Sequence, residues 1–325
     1  MQAPVQSTLR SFDIALAGEI NLDLVLYGLP CDMPLERELL VSGFSMTLGS
    51  SSAILAHNMA KLGCATALLG KVGDDEMGAM AVARLREAGV DTERITLAAD
   101  GVSTGVTVLL PHGRQRHILT YMGAMATLTG RDVDDAFLSS SRHLHLSSLF
   151  LQTGLRPFVP ELLRRARAAG MSTSLDTNDD PDDLWEGISE LLPLVDVLLP
   201  NEDEACRMTG CSNVVRAVDA LSAQVPLVAV KCGADGVVIA QGSTLLRVPG
   251  ISVTPVDTIG AGDSFNAGFL TAFLRGHDAE TCGEAGNMCG ALSTLRIGGT
   301  EAFRDDALRE AFLLEHGARW TEQAA

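Results

Sequence analysis

Residues 254–270 read TPVDTIGAGDSFNAGFL, and they pass from a polar run through three small residues, Gly260, Ala261 and Gly262, into a helix. Phe265, Phe269, Ala272 and Phe273 share one face of that helix, and Gly276 follows it as a stop. A glycine-rich turn at a helix start leaves backbone N–H groups pointing outward, and the helix dipole adds positive potential. The pattern predicts an anion hole. Asp263 falls in the first helical turn, beside whatever anion is held. Phosphorylating a hydroxyl calls for a base next to a phosphate cradle, because the protein positions the alcohol, offsets developing charge and accepts the proton. The competing reading is an ordinary helix cap. A dinucleotide fingerprint fails, since Phe265 stands at the third glycine and the motif comes late in the chain. A P-loop at Gly63…Gly70-Lys71-Val72 fails on spacing and on Val72 in place of Ser or Thr.

Outward from this segment the chain repeats strand, turn, amphipathic helix, glycine. Strands are expected at FDIALAGEINLD, ATALLG, STSLD, VDVLLP, LVAVK and GVVIA, and helices at Ile54–Leu62, Met77–Ala88 and Glu161–Ala169. This alternation predicts an α/β domain with a mostly parallel sheet between helices, spanning residues 1–325 as one unit. Two stretches, about 24–48 and 103–125, read as strands and turns alone and are expected to form a small β-sheet, either a lid or an edge extension. Asn21 and Asp23, Asp176 and Asn178, Asn201 and Glu204, and Lys231 each follow a strand. In open parallel sheets ligands bind at that edge.

The 24 basic and 41 acidic residues give a net charge of −17 without a basic cluster, which excludes a nucleic-acid partner. Seven cysteines without a CxxC pair predict free thiols in a reducing compartment. Met1–Leu9 lacks a signal-peptide pattern and no apolar run reaches membrane-spanning length, so a cytoplasmic protein is expected. His143 and His145 alternate on a strand, but no carboxylate or cysteine lies nearby in sequence to complete a zinc site. The acidic run DTNDDPDD, residues 176–183, matches no calcium loop.

DTIGAGDSFNAGFL resembles the C-terminal signature of the ribokinase-like (PfkB) carbohydrate kinases. The resemblance extends to GEINLD, LGSSSAILAHNMAKLG, GKVGDDEMG, PNEDEA, VKCGADG and NMCGALSTLRIGGTEAF, nearly the whole chain. It implies a doubly wound sheet with a small β-lid, and transfer of phosphate from ATP to the hydroxymethyl group of a sugar or sugar acid. It implies Asp263 as base and Gly260, Ala261 and Gly262 as anion hole, with Asn21, Asp23, Gly49 and Ser50 on the sugar. Asn201 and Glu204 would organise Mg²⁺, while Lys231, Gly233, Gly236 and Asn287 would bind nucleotide. Asp257, Ile259 and Thr294 would form a monovalent-cation site for K⁺, and the lid would pair two copies into a homodimer.

Within the substrate motif the chain departs from the family. Ser50 replaces a glycine and Ile54 an asparagine, removing one expected polar contact to sugar. Candidate substrates are ketohexose, 2-keto-3-deoxy sugar acid and ribose. The alternatives are a nucleoside kinase with Ile54 near the base, or a sensor that has lost catalysis.

Overall fold

The computed structural model describes residues 10–30, 32–112 and 115–321. Met1–Leu9 and Cys31, on which the leader and thiol readings partly rest, lie outside the described residues. Nine strands form the main sheet: β1 (Phe12–Ala17), β4 (Thr66–Val72), β5 (Ile95–Leu97), β8 (Ser141–Ser147), β9 (Ser172–Asp176), β10 (Val197–Leu198), β11 (Leu227–Lys231), β12 (Val237–Gln241) and β13 (Thr244–Val248). Their order is β13-β12-β11-β10-β9-β8-β1-β4-β5. The pairs from β11 to β5 are parallel, while β12 and β13 add antiparallel at one edge. From β1 the chain first moves outward to β4 and β5, then returns to β8 and proceeds the other way. That reversal opens a crevice at the carboxyl ends of β1 and β8.

Side chains of alternate residues divide the core in two. Ile14 and Leu16 join one apolar layer, with Leu68, Phe269 and Leu270. Ala15 and Ala17 join the other, with Leu144, Leu146 and Leu163. Helices cover both faces, so the parallel strands are buried on both sides.

The smaller sheet has the order β3-β2-β6-β7, with β2 (Asn21–Tyr27), β3 (Gly43–Leu48), β6 (Gly105–His112) and β7 (Gln115–Tyr121). Its central pair, β2 and β6, is parallel, and the outer pairs are antiparallel. Asn21 and Asp23 therefore belong to this sheet and do not simply follow a main-sheet strand. The expected helices start earlier than read: Ser51–Lys61 capped by Ser50, Glu76–Ala88 capped by Asp75, and Val159–Ala168.

Of the six described cysteines, all free, Cys64, Cys282 and Cys289 are buried, whereas Cys206, Cys211 and Cys232 are partly exposed. Among the described residues no helix is long and apolar enough to cross a membrane.

Candidate active site

The helix Ala261–Leu274 begins without a side-chain cap; its N-cap is Gly260, at φ 70°. A Cβ at Gly260 would sit 2.5 Å from the Gly299 Cα, so glycine is required twice over, by conformation and by space. Ala261 N–H reaches the Thr258 carbonyl at 3.3 Å. Among the described residues the N–H groups of Gly262 and Asp263 have no carbonyl acceptor. The Gly260 N–H likewise has no carbonyl acceptor there, so of Gly260, Ala261 and Gly262 only Ala261 is engaged. Asp263 makes no capping bond, which removes the ordinary-cap reading.

Asp263 is half-buried and its carboxyl is pushed up to about 6, first by burial and then by the charge of Asp176. Lys231 and the Ser51 hydroxyl oppose the rise. Lys231, at the end of β11, places its Nζ 2.6 Å from Asp176 Oδ2 and 3.4 Å from Asn266 Oδ1. That same Nζ lies 3.6 Å from where a Gly262 Cβ would be, so the cation borders the anion hole. Burial works against the ammonium, but Asp176, Glu204 and Asp263 outweigh it and raise its pKa. Asn266 also donates to Asp176. Sequence reading missed Asn266, although its i+3 spacing from Asp263 put both on one helix face.

Across the crevice, Gly49 lies against the carboxamide of Asn21 and the carboxylate of Asp23. A Cβ at Gly49 would come within 2.1 Å of Asp23 Oδ1 and 2.3 Å of Asn21 Oδ1. Asn21 donates to Thr107 Oγ1 at 2.8 Å, and its buried Oδ1 has no partner. Asp23 is buried and pushed up to about 7 by burial, then by Asp263 and Asp257, with Arg116 opposing. The charges of Asp23 and Asp263 thus act on one another across the crevice.

The altered motif residues turn out to be structural. Ser50, at φ 62°, caps the helix Ser51–Lys61 and donates to the Glu19 carbonyl at 2.7 Å. Ile54 is 2% exposed and packs on Gly260 and Gly299. Its side chain supports the Gly260 turn from beneath. One turn on, Asn58 holds the same loop, donating to Gly299 O and Ser264 Oγ at 3.0 Å each.

On the other side of Lys231, Asn201 and Glu204 form a reciprocal capping box on the helix Glu202–Thr209. Glu204 Oε2 accepts from Asn201 N at 2.8 Å and Oε1 from its Nδ2 at 2.6 Å. The Glu204 carboxyl is nonetheless pushed up to about 7, by burial and by Asp176. Gly233 (φ 57°) is uncrowded, whereas a Cβ at Gly236 would meet the Val248 carbonyl at 2.1 Å. Asn287 donates to the carbonyls of Val248 and Pro249, at 3.1 and 3.0 Å, bracing that turn.

Asp257 and Thr294 do come together, but both are engaged. The Asp257 carboxylate accepts from Tyr27 OH (3.2 Å), Ile259 N (3.1 Å) and Gly298 N (3.0 Å). The Thr294 carbonyl accepts from Val256 N and Asp257 N, at 2.7 and 3.2 Å. With both lone pairs used, Thr294 does not fit as the expected K⁺ ligand. The Ile259 side chain packs with Val25 and Leu109 of the smaller sheet.

A half-buried carboxylate, a helix start with free N–H groups and an adjacent lysine, set in a doubly wound sheet, define a phosphotransferase site. The chain belongs to the pfkB family of carbohydrate kinases, whose profile matches residues 11–306. It is 31% identical over 301 residues to the ATP-dependent ribose-1-phosphate kinase of Halopiger xanaduensis, covering 92% of this chain and 97% of the relative. Fructokinase-2 of Zea mays is 31% identical, over 80% of this chain and 83% of its own. The crystal structure of fructokinase from Vibrio cholerae O395, in its fructose, ADP and calcium ion bound form, superposes with a TM-score of 0.77. It is 26% identical and covers 93% of this chain and 99% of its own.

Proposed function

We propose that this carbohydrate kinase transfers the γ-phosphoryl group of ATP to the hydroxymethyl group of a sugar or sugar acid, with Asp263 as general base. The observation that carries the reading is the juxtaposition of Asp263, the unpaired N–H groups of Gly262 and Asp263, and the Lys231 ammonium. A base lifted to about 6 is ionised at neutral pH yet basic enough to accept an alcohol proton during transfer. The helix start and Lys231 hold the transferring charge, and Asn21 and Asp23 hold neighbouring hydroxyls.

The charges of Asp176 and Asp179 both act on Glu204, with Lys231 opposing. Glu204 and Asn201 would hold Mg²⁺ through water. When bound, the ion shields phosphate charge. The smaller sheet serves as a lid over the sugar. Phe44, Leu119 and Tyr121 lie on its outer face, 61%, 57% and 56% exposed, and this apolar face supports a homodimer through the lid.

Coupled ATP turnover over a panel of ketohexoses, pentoses, 2-keto-3-deoxy sugar acids and nucleosides tests the reading. Phosphate transfer to a sugar or sugar acid is expected. Transfer to nucleosides alone, or none to any alcohol, would overturn it. Light scattering on the purified protein tests the dimer, which a monomer at micromolar concentration would exclude.

A further inference from the structure

Beneath the helix Ala261–Leu274 the centre of the main sheet is polar. His143 and His145 on β8 pair in register with Ser172 and Ser174 on β9, and Ser147 pairs with Asp176. His143, His145, Ser174 and Asp176 are each 2% exposed or less. Residues 172, 174 and 176 point to one face of the sheet, the face on which the edge of Phe273 meets the His143 ring at 5.9 Å. Burying this many polar groups in a parallel sheet is unfavourable unless each finds a partner. All but one do. His143 Nδ1 lies 2.7 Å from Ser172 Oγ, His143 Nε2 is 2.6 Å from Ser174 Oγ, and His145 Nδ1 is 2.7 Å from the same Ser174 Oγ. His145 Nε2 is buried and has no partner.

With the Ser174 hydroxyl hydrogen used inside this chain, its protons can run in only two ways. Both imidazoles are neutral, since burial pushes them down to about 3 for His143 and about 4 for His145. Each ring therefore carries one N–H, and Ser174 donates to one histidine and accepts from the other. In one direction Ser172 donates to His143, His143 to Ser174, and Ser174 to His145 Nδ1, leaving an N–H at His145 Nε2. The opposite direction leaves a lone pair there. Asp176 is the carboxylate whose charge acts on His145 and lies one register step further along the same face. It favours the N–H and repels the lone pair, and its effect on His145 outweighs the opposing charge of Lys231.

We infer that His145 is a positioning residue: the serine–histidine chain runs toward the active site and presents the Nε2–H of His145 toward Asp176 through one buried water. Asp176 in turn holds Lys231 and Asn266. The ammonium beside the anion hole is thus oriented from beneath by a line of four neutral side chains. The inference deepens the kinase reading and rests on it for the role of Lys231, though the proton order is independent of activity.

Two measurements test it. Two-bond proton–nitrogen correlation spectra of the ¹⁵N-labelled wild-type protein should show Nε2–H tautomers for both histidines, unchanged between neutral and mildly acidic pH. An Nδ1–H tautomer at His145 would overturn the proposed direction whatever the enzyme phosphorylates. For kinetics, His145→Phe keeps the ring volume and removes the donor, whereas His145→Gln retains an N–H near the Nε2 position. Loss of a charge-assisted hydrogen bond predicts kcat about tenfold lower for Phe, with a raised ATP KM, and recovery of most of both with Gln. A packing role would give the reverse order, Phe tolerated and Gln impaired, and that result would refute the inference.

Discussion

Asp263→Asn removes a proton acceptor and a negative charge while keeping the shape of the side chain. Lifting the carboxyl from 3.8 to about 6 corresponds to about 3 kcal/mol spent keeping it ionised at neutral pH. Partial exposure reduces that to about 1–3 kcal/mol. The sign follows from the direction of the shift. With the folded-state pKa above the unfolded one, the native state holds this proton more tightly. Its stabilising contribution is complete below 3.8 and lost as pH rises through about 6. Asparagine never carries the charge, so the variant should unfold no more easily than wild type at pH 7.5, and the difference should vanish in acid. Turnover should behave oppositely, with kcat about 10²–10⁴ lower. Wild-type kcat should fall as pH drops through about 6, and that limb should be absent in the variant. Coupled-assay kcat, calorimetric ATP affinity and urea unfolding on the two proteins decide the matter. Near-normal turnover in Asp263→Asn, or a variant markedly less stable than wild type at pH 7.5, would refute the assignment of Asp263 as base.

Gly49→Ala must push aside both Asn21 and Asp23, and losing one charge-assisted bond predicts a sugar KM about 10- to 100-fold higher with ATP KM unchanged; an unchanged sugar KM would place the sugar elsewhere. Burial, then the charges of Asp263 and Asp257, pushes the Asp23 carboxyl up to about 7, so kcat/KM for sugar should rise with pH through that value. The rise should disappear in Asp23→Asn, and a pH profile identical in the two proteins would exclude Asp23 as the hydroxyl acceptor. Because Tyr27, Ile259 and Gly298 already satisfy Asp257, replacing Na⁺ by K⁺ at constant ionic strength should leave kcat nearly unchanged. A several-fold rise would show that a cation shapes this turn.

Much of the site could be read directly because its chemistry is local. Gly260 to Asp263 form one helix start, and the strand-turn-helix alternation carries the parallel sheet. What escaped were readings that depend on where a side chain points. Ile54 and Ser50 stand in a substrate motif, yet helix geometry turns Ile54 under the Gly260 and Gly299 turn and Ser50 back onto Glu19. Asn201 and Glu204 read as metal organisers, and their spacing is also that of a capping box, which the structure forms without excluding the metal role. Thr294 required the path of two loops, and its carbonyl is consumed by amides 37 and 38 residues earlier in the chain, Asp257 and Val256. His143 and His145 looked incomplete because their partners are serines 29 residues away, brought alongside by the pairing of β8 with β9.

The contact among Val25, Leu109 and Ile259 bears on how the smaller sheet opens. Val25, Leu109 and Ile259 are 0%, 4% and 6% exposed, and swinging the smaller sheet away would wet all three. Fully exposing such a side chain costs about 1.5–3 kcal/mol, so the sheet behaves as a latch that rests shut before any sugar arrives. Ile259 lies immediately before Gly260, so parting the smaller sheet from it would also loosen the turn at which the helix Ala261–Leu274 begins.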